Sequence, residues 1–342
     1  MNRKLLAFVL CLLSLWAYGC QKVCVPEKPE KLRGSWRRFT VSDGLLDNDV
    51  EAIAGDDRGN VWFATRRGVS VLTNEGEWVY YRAADGLGAD EATDIVVDRQ
   101  GRIWVATIGG GISRFDGATW YTFSSTNSRL PDERIKRLAI DAQGNVWALS
   151  LRSGLSVIHN DDTVAYIGLP FPQDPSDLPF SLEIDSRGWV WVATLSSFLA
   201  AYDPARQRWQ LVERIADHVD LKPGFQHTWG IAADRRSGHL WIASGKVIEI
   251  SNEEWRVYFE QFYPGGVFID ADGYKWFWGG HPRGYSLLLL SPDNRQGWFC
   301  RWEEPFGGIP YHLAWFGRVG RDAQGNYWFP TSFGAVRFTP SK

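Results

Sequence analysis

From Ala92 to Phe123 the chain alternates apolar and polar residues in short runs, with a period of two rather than the 3.6 of a helix. Four such runs follow one another, TDIVVD, RIWVAT, GISRFD and TWYTF, each bounded by Asp, Gly or Asn. In the second run Trp104 and Ala106 fall on one face and Val105 and Thr107 on the other, as side chains alternate along a strand. Between the first two runs, DRQG puts Asp at the start of a tight turn and Gly at the position that closes a hairpin in the left-handed region. No helical pattern interrupts these runs, so the segment predicts a four-stranded antiparallel sheet.

Variants of this segment recur to the end of the chain. The Gly-x-x-Trp that opens the second strand appears seven times, at Trp62, Trp104, Trp147, Trp191, Trp241, Trp276 and Trp328. The spacing of about 43 residues suits one four-stranded propeller blade per unit. Outermost strands are expected around Trp36, Trp78, Trp120, Trp209, Trp255 and Trp302, with a plainer strand at Val164 to Ile167 in the third unit. After Trp328 there is room for one more strand, GAVRFT, whereas WRRFT at Trp36 to Thr40 is an outer strand with no unit before it. Pairing the two completes the seventh blade and removes exposed edges. The expected fold is therefore all-β. It is a seven-bladed β-propeller of four antiparallel strands per blade, spanning 35–342, with the ring closed by the N-terminal outer strand on the C-terminal blade.

The first twenty residues read as an export signal: Arg3 and Lys4, an apolar run from Leu5 to about Trp16, then small residues around Cys20. The apolar run falls short of the roughly 20 residues that span a bilayer. Gly19 before Cys20 resembles a lipobox, which would make Cys20 the lipidated first residue, although Ala17 and Tyr18 depart from the usual pattern. A lipid anchor would hold the protein at the cell envelope without a span. Gln21 after the Cys leans toward the outer membrane by resemblance to lipoprotein sorting. Residues 21–34 read as a flexible tether. Cys24 and Cys300 do not suggest a disulfide framework.

Composition adds 19 Trp and 35 Gly against one Met, which suits flat blades stacked through aromatic side chains. The net charge of -3, with no block of Lys or Arg, argues against a nucleic-acid partner. No sequence signature calls for a cofactor.

The repeats resemble the two-component regulator propeller family, most plainly in WRRFTVSDGLLDNDVEAIAGDDRGNVWFATRRGVSVL and DRQGRIWVATIGGGISRFDGATWYTF. The resemblance covers nearly all of Trp36 to Thr339. It implies an extracytoplasmic recognition module, since propellers of this family form periplasmic sensing domains, often for carbohydrate fragments, and also occur as free-standing exported proteins. No kinase module or second propeller is visible in this chain, so sensing would be accessory to another protein.

Strand order predicts the Asp-x-x-Gly turns on one face of the ring and the long loops between blades on the other, where binding residues usually sit. On that loop-rich face, blades one to three carry an acidic arc: Asp47, Asp49, Glu51, Asp90, Glu91, Asp132 and Glu133. Opposite it, blades five to seven carry His227, Trp229, Tyr311, His312 and Trp315, with His281, Arg283, Arg66 and Arg152 in nearby loops. Aromatic faces beside charged groups suit a carbohydrate or peptide ligand, or a protein partner. A blander reading has Trp229 and Trp315 filling the ring and the acids forming a solvated rim; Trp278 reads as packing. No His pair has ligand spacing, so no metal site is expected, and the recurrent Asp98, Asp141, Asp185, Asp270 and Asp322 read as turn residues rather than calcium ligands. The rival is a propeller enzyme, similar to streptogramin-lyase-like proteins or to calcium-dependent lactonases. A lyase would need an acid and a base in contact, for example His227 or His312 with Glu51 or Glu91.

Overall fold

The computed structural model describes residues 32–171, 177–196, 198–221, 227–251, 254–280, 287–300 and 317–341. The described strands form seven antiparallel sheets of four, each built from consecutive strands except the last. Blade 2 runs Ala92–Val97, Ile103–Thr107, Ile112–Phe115 and Trp120–Phe123, the four runs read from the sequence. In the seventh blade the N-terminal strand Gly34–Phe39 supplies the outer edge, pairing with Gly334–Pro340 from Gly34 opposite Pro340 to Phe39 opposite Ala335. Closure is reinforced by Leu32, 1% exposed in the cluster around Trp276 and Phe338. The third blade ends in Val164–Gly168 as expected. In blade 6 the outer strand is Gly297–Cys300, with Trp298 where the sequence suggested Trp302; the latter lies outside the described residues.

Adjacent blades bury their faces against each other in separate clusters, such as Trp62, Val69 and Val71 of blade 1 on Ile95, Ile103 and Val105 of blade 2. Six of the seven second strands are buried along their whole length, and that of blade 6 over Lys275 to Trp278, because both of their faces meet a neighbouring blade. An indole this deep must place its N–H. The turn Asp receives it. Trp62 donates to Asp56 at 2.8 Å, Trp104 to Asp98 at 2.8 Å, Trp147 to Asp141 at 3.0 Å, Trp191 to Asp185 at 2.9 Å, Trp276 to Asp270 at 3.0 Å and Trp328 to Asp322 at 2.7 Å. The other oxygen of the carboxylate accepts backbone N–H groups of its own turn; in Asp98 these come from Gln100 and Arg102, and in Asp322 from Asn326. Glycine closes the turn because its φ there is positive, 75° at Gly101. With their lone pairs engaged in this way, these Asp residues are turn clamps, as the sequence suggested.

Blade 5 departs from the rule. Its turn is one residue longer, so Asp234 and Trp241 are out of step and the Trp241 Nε1 finds no partner among the described residues. A polar cluster joins blades 5 and 6 instead. Buried Glu249 accepts from the Tyr258 hydroxyl at 2.7 Å, His239 Nδ1 at 2.7 Å and Asn294 Nδ2 at 2.9 Å. Lys275, 1% exposed, lies 3.4 Å from Asp234 and donates to Asn294 Oδ1 at 2.7 Å. Burial, with Glu249 beside it, pushes the Tyr258 hydroxyl up to about 12. His239 is thereby a lateral strut on the turn face, away from the loop-rich mouth.

The contrast between blades predicts a difference in stability. Trp104→Phe removes a charge-assisted hydrogen bond, whereas Trp241→Phe removes a buried donor that has no acceptor. In urea unfolding the first substitution should cost about 1–3 kcal/mol more than the second. Equal losses would show that the Asp–indole bond contributes nothing.

Candidate functional site

Counting back from each turn Asp puts the inner strands in register. Five residues before it stand Glu51, Thr93, Lys136, Phe180, Trp229, Gly265 and Gly317; four before it stand Ala52, Asp94, Arg137, Ser181, Gly230, Gly266 and Arg318. In blades 1 to 6 the pairing of the inner strand slips by one at the first of these positions. A bulge re-aims the side chain it carries. The ring is thus lined by layers whose residues come from different blades.

The mouth layer divides into an ion pair and an aromatic row. Lys136 Nζ lies 3.1 Å from Glu51 Oε2, joining blades 3 and 1. Burial would raise the Glu51 carboxyl, but Lys136 and Arg137 outweigh it and hold it below the ordinary value; desolvation lowers the Lys136 ammonium. Phe180 takes Lys136 and Arg137 over its ring at 5.3 and 5.5 Å and meets Trp229 edge-on at 5.9 Å. Trp229 is half-buried and faces exposed His227, whose ring lies 5.6 Å away and whose Nδ1 is 3.3 Å from the Leu195 carbonyl.

One layer deeper, Arg318 reaches from blade 7 across the interior to Asp94 of blade 2. Its Nε and Nη2 lie 2.9 and 3.1 Å from the two carboxylate oxygens, and Nη2 also donates to the Leu138 carbonyl of blade 3 at 2.5 Å. Leu138 N–H returns a bond to Asp94 at 2.8 Å. Asp94 is fully buried, which alone would raise its carboxyl; Arg318 and the other donors reverse this and lower it. The bridge fills the side of the interior facing blades 1 to 3.

The other side is open. A cavity of about 460 Å³ lies against blades 4 to 7, running from Trp229 at the mouth to Asp234 and Arg235 at the turn face. Its wall is thin where glycine stands in the layers. A Cβ on Gly266 would fall 2.2 Å from the Trp278 ring, and one on Gly317 would fall 1.4 Å from the Glu51 carbonyl. Trp278 is 2% exposed and packs, as expected. Glu183 lines this cavity, and desolvation raises its carboxyl against the lowering effect of Arg318 and Arg235.

Of the residues expected at the site, the structure brings Trp229 to the cavity and His227 beside it. Arg66 is instead held by Asp49 at 2.7 Å, and Arg152 is exposed on a neighbouring loop, its backbone N–H bound to Asp132. Cys20, His281, Arg283, Tyr311, His312 and Trp315 lie outside the described residues. The acidic arc is mostly engaged locally: Asp47 faces Arg67, Asp90 accepts from the Ala83 N–H, Asp132 binds Arg134, and Glu133 binds Ser125. Sequence reading missed the Arg318–Asp94 bridge and Glu183; alignment of the repeats on the turn Asp shows all three as charged residues at interior positions, but not the pairing.

The bridge should be sensitive to losing one partner. Arg318→Met leaves Asp94 buried without its cation and should destabilise the ring by about 3–5 kcal/mol in denaturant unfolding. The pair Arg318→Met with Asp94→Leu should cost less than Arg318→Met alone. A single-variant loss near zero would refute the bridge.

The two-component regulator propeller family matches residues 44–67 and 86–109. No curated protein matches the sequence. Among solved structures, a streptogramin B lyase is similar at 15% identity and a TM-score of 0.69, covering 92% of this chain and 100% of that one. The extracellular domain assigned to a hybrid two component system of B. thetaiotaomicron is similar at 17% identity and a TM-score of 0.71, over 90% of this chain and 41% of that one. PorZ, a surface component of the type-IX secretion system of Porphyromonas gingivalis, is similar at 15% identity and a TM-score of 0.65, over 88% of this chain and 47% of that one. Identities this low carry the fold and no activity. Two copies of the blade repeat, in blades 1 and 2, thus match the two-component regulator propeller model, and the described strands fold as seven such blades.

Proposed function

We propose that this protein is an extracytoplasmic recognition module that binds a carbohydrate or peptide ligand through the loop-rich mouth and the cavity behind it. The observation that carries this reading is Trp229, half-buried at the mouth of a cavity of about 460 Å³, with His227 exposed beside it. That volume lies in the range of small-ligand sites, and an aromatic face with a polar neighbour suits a sugar ring or a peptide side chain. The extracellular location of the sensor and secretion relatives supports an exported protein, and among the described residues no helix is long and apolar enough to cross a membrane. In this reading the export signal ends at Cys20, which carries the lipid anchor. What favours recognition over a lyase is that two of the candidate acid and base groups are engaged elsewhere: Glu51 is taken by Lys136, and His227 rests on a backbone carbonyl.

A calorimetric screen of the full chain against neutral oligosaccharides and short peptides should find a ligand. Trp229→Ala should weaken it about tenfold or more while the ring still melts cooperatively. Binding that ignores Trp229→Ala, or no binding by the wild type, would overturn the reading.

A further inference from the structure

Two residues before each turn Asp, the inner strands carry Ala54, Val96, Ala139, Ala232, Phe268 and Gly320 in six blades. Blade 4 places Glu183 at this small or apolar position. The carboxylate borders the cavity, no side-chain donor reaches it among the described residues, and the group hydrogen-bonding beside it is the Ile184 N–H. Glu183 is half-buried and, among the described residues, makes no ion pair with the nearby Arg318 or Arg235, so a cationic group entering the cavity would gain by reaching it. The same cavity is bordered by Arg235, whose exposed guanidinium pairs with no carboxylate among the described residues. Other charges there are engaged: Arg318 by Asp94, Arg137 by the Thr93 carbonyl, Arg236 by the Asp272 carbonyl, Asp270 by the Trp276 indole, and Asp234 by Lys275 and its own turn.

A ligand that satisfies both free groups must donate to one and accept from the other. A desolvated carboxylate gains more from an ammonium than from a hydroxyl, and a guanidinium gains more from a carboxylate than from a neutral oxygen. A purely anionic ligand would meet Glu183 unfavourably, and a purely cationic one would meet Arg235. We propose that the cavity takes a small zwitterion, an amino acid or dipeptide, with its ammonium group on Glu183 and its carboxylate on Arg235. This rests on the recognition reading and selects the peptide side of it. Glu183 faces Arg318 and Arg235 as cations and Asp94 as a like charge, and its carboxyl sits above the ordinary value through desolvation. An added ammonium favours the ionised form, so binding at mildly acidic pH, where part of the carboxyl is protonated, releases a proton.

The test is calorimetry on the full chain with the free amino acids and glycylglycine, each compared with its N-acetylated and C-amidated form, in two buffers of different protonation enthalpy at mildly acidic pH. At least one free zwitterion should bind with proton release, and blocking either end should weaken it about tenfold or more. Glu183→Gln should cause a similar loss and abolish the proton release; Arg235→Gln should weaken binding and keep it. Glu183→Gln removes a charge with no side-chain donor, so this variant should melt no lower than the wild type, which separates lost binding from lost folding. Zwitterion binding unchanged in both variants would overturn the proposal. A neutral sugar that binds through Trp229 while every zwitterion fails would overturn it and leave the recognition reading standing. Absence of binding by either class would end both.

Discussion

The hydrogen bond from a buried indole to a turn carboxylate is the interaction on which this ring depends. In a second strand covered on both faces, a Trp whose N–H goes unpaired loses stability, and the turn just before it offers the nearest acceptor. Asp serves both needs because one oxygen organises the turn and the other reaches the indole six residues later, as in Asp98 and Trp104. Local hairpin geometry and the packing between blades are thereby fixed by the same side chain. Where an extra residue breaks the spacing, at Asp234 and Trp241, the fold recruits Glu249, Lys275 and Asn294 to join the blades.

With the turn Asp as origin, the ring interior becomes a set of layers, and the layers are uneven. Charged side chains from blades 1, 2, 3 and 7 meet across the interior as Glu51 with Lys136 and Asp94 with Arg318. Blades 5 to 7 put Gly230, Gly266 and Gly317 in the same layers, and the cavity lies on that side. Seven similar blades therefore produce one closed flank and one open flank. The open flank holds Trp229 at the mouth and Glu183 within.

The architecture was legible because its signals are local and repeated. The alternation in blade 2, the turn chemistry and the two incomplete ends predicted the strands, the blade number and the closure that Gly34 and Pro340 complete. Blade 6 was read less well, since GWFCRW offers two tryptophans and spacing alone does not choose between Trp298 and Trp302. The interior was largely missed. Arg318 and Asp94 are separated by 224 positions, and nothing near either residue announces the other. The acidic arc misled because its residues look free in sequence, whereas loop N–H groups and neighbouring Arg side chains occupy most of them. Trp229, which borders the cavity, is conspicuous in sequence as a large aromatic residue at the start of an inner strand.

If the Asp–indole bonds hold the seven blades as one cooperative unit, their protons should report it. Hydrogen exchange of the indole groups, followed by NMR on the full chain with labelled Trp, measures this at each site. The account predicts that the indole protons of Trp62, Trp104, Trp147, Trp191, Trp276 and Trp328 exchange as one cohort, with the free energy of global unfolding. Exchange of these six at separate rates, blade by blade through local openings, would contradict it.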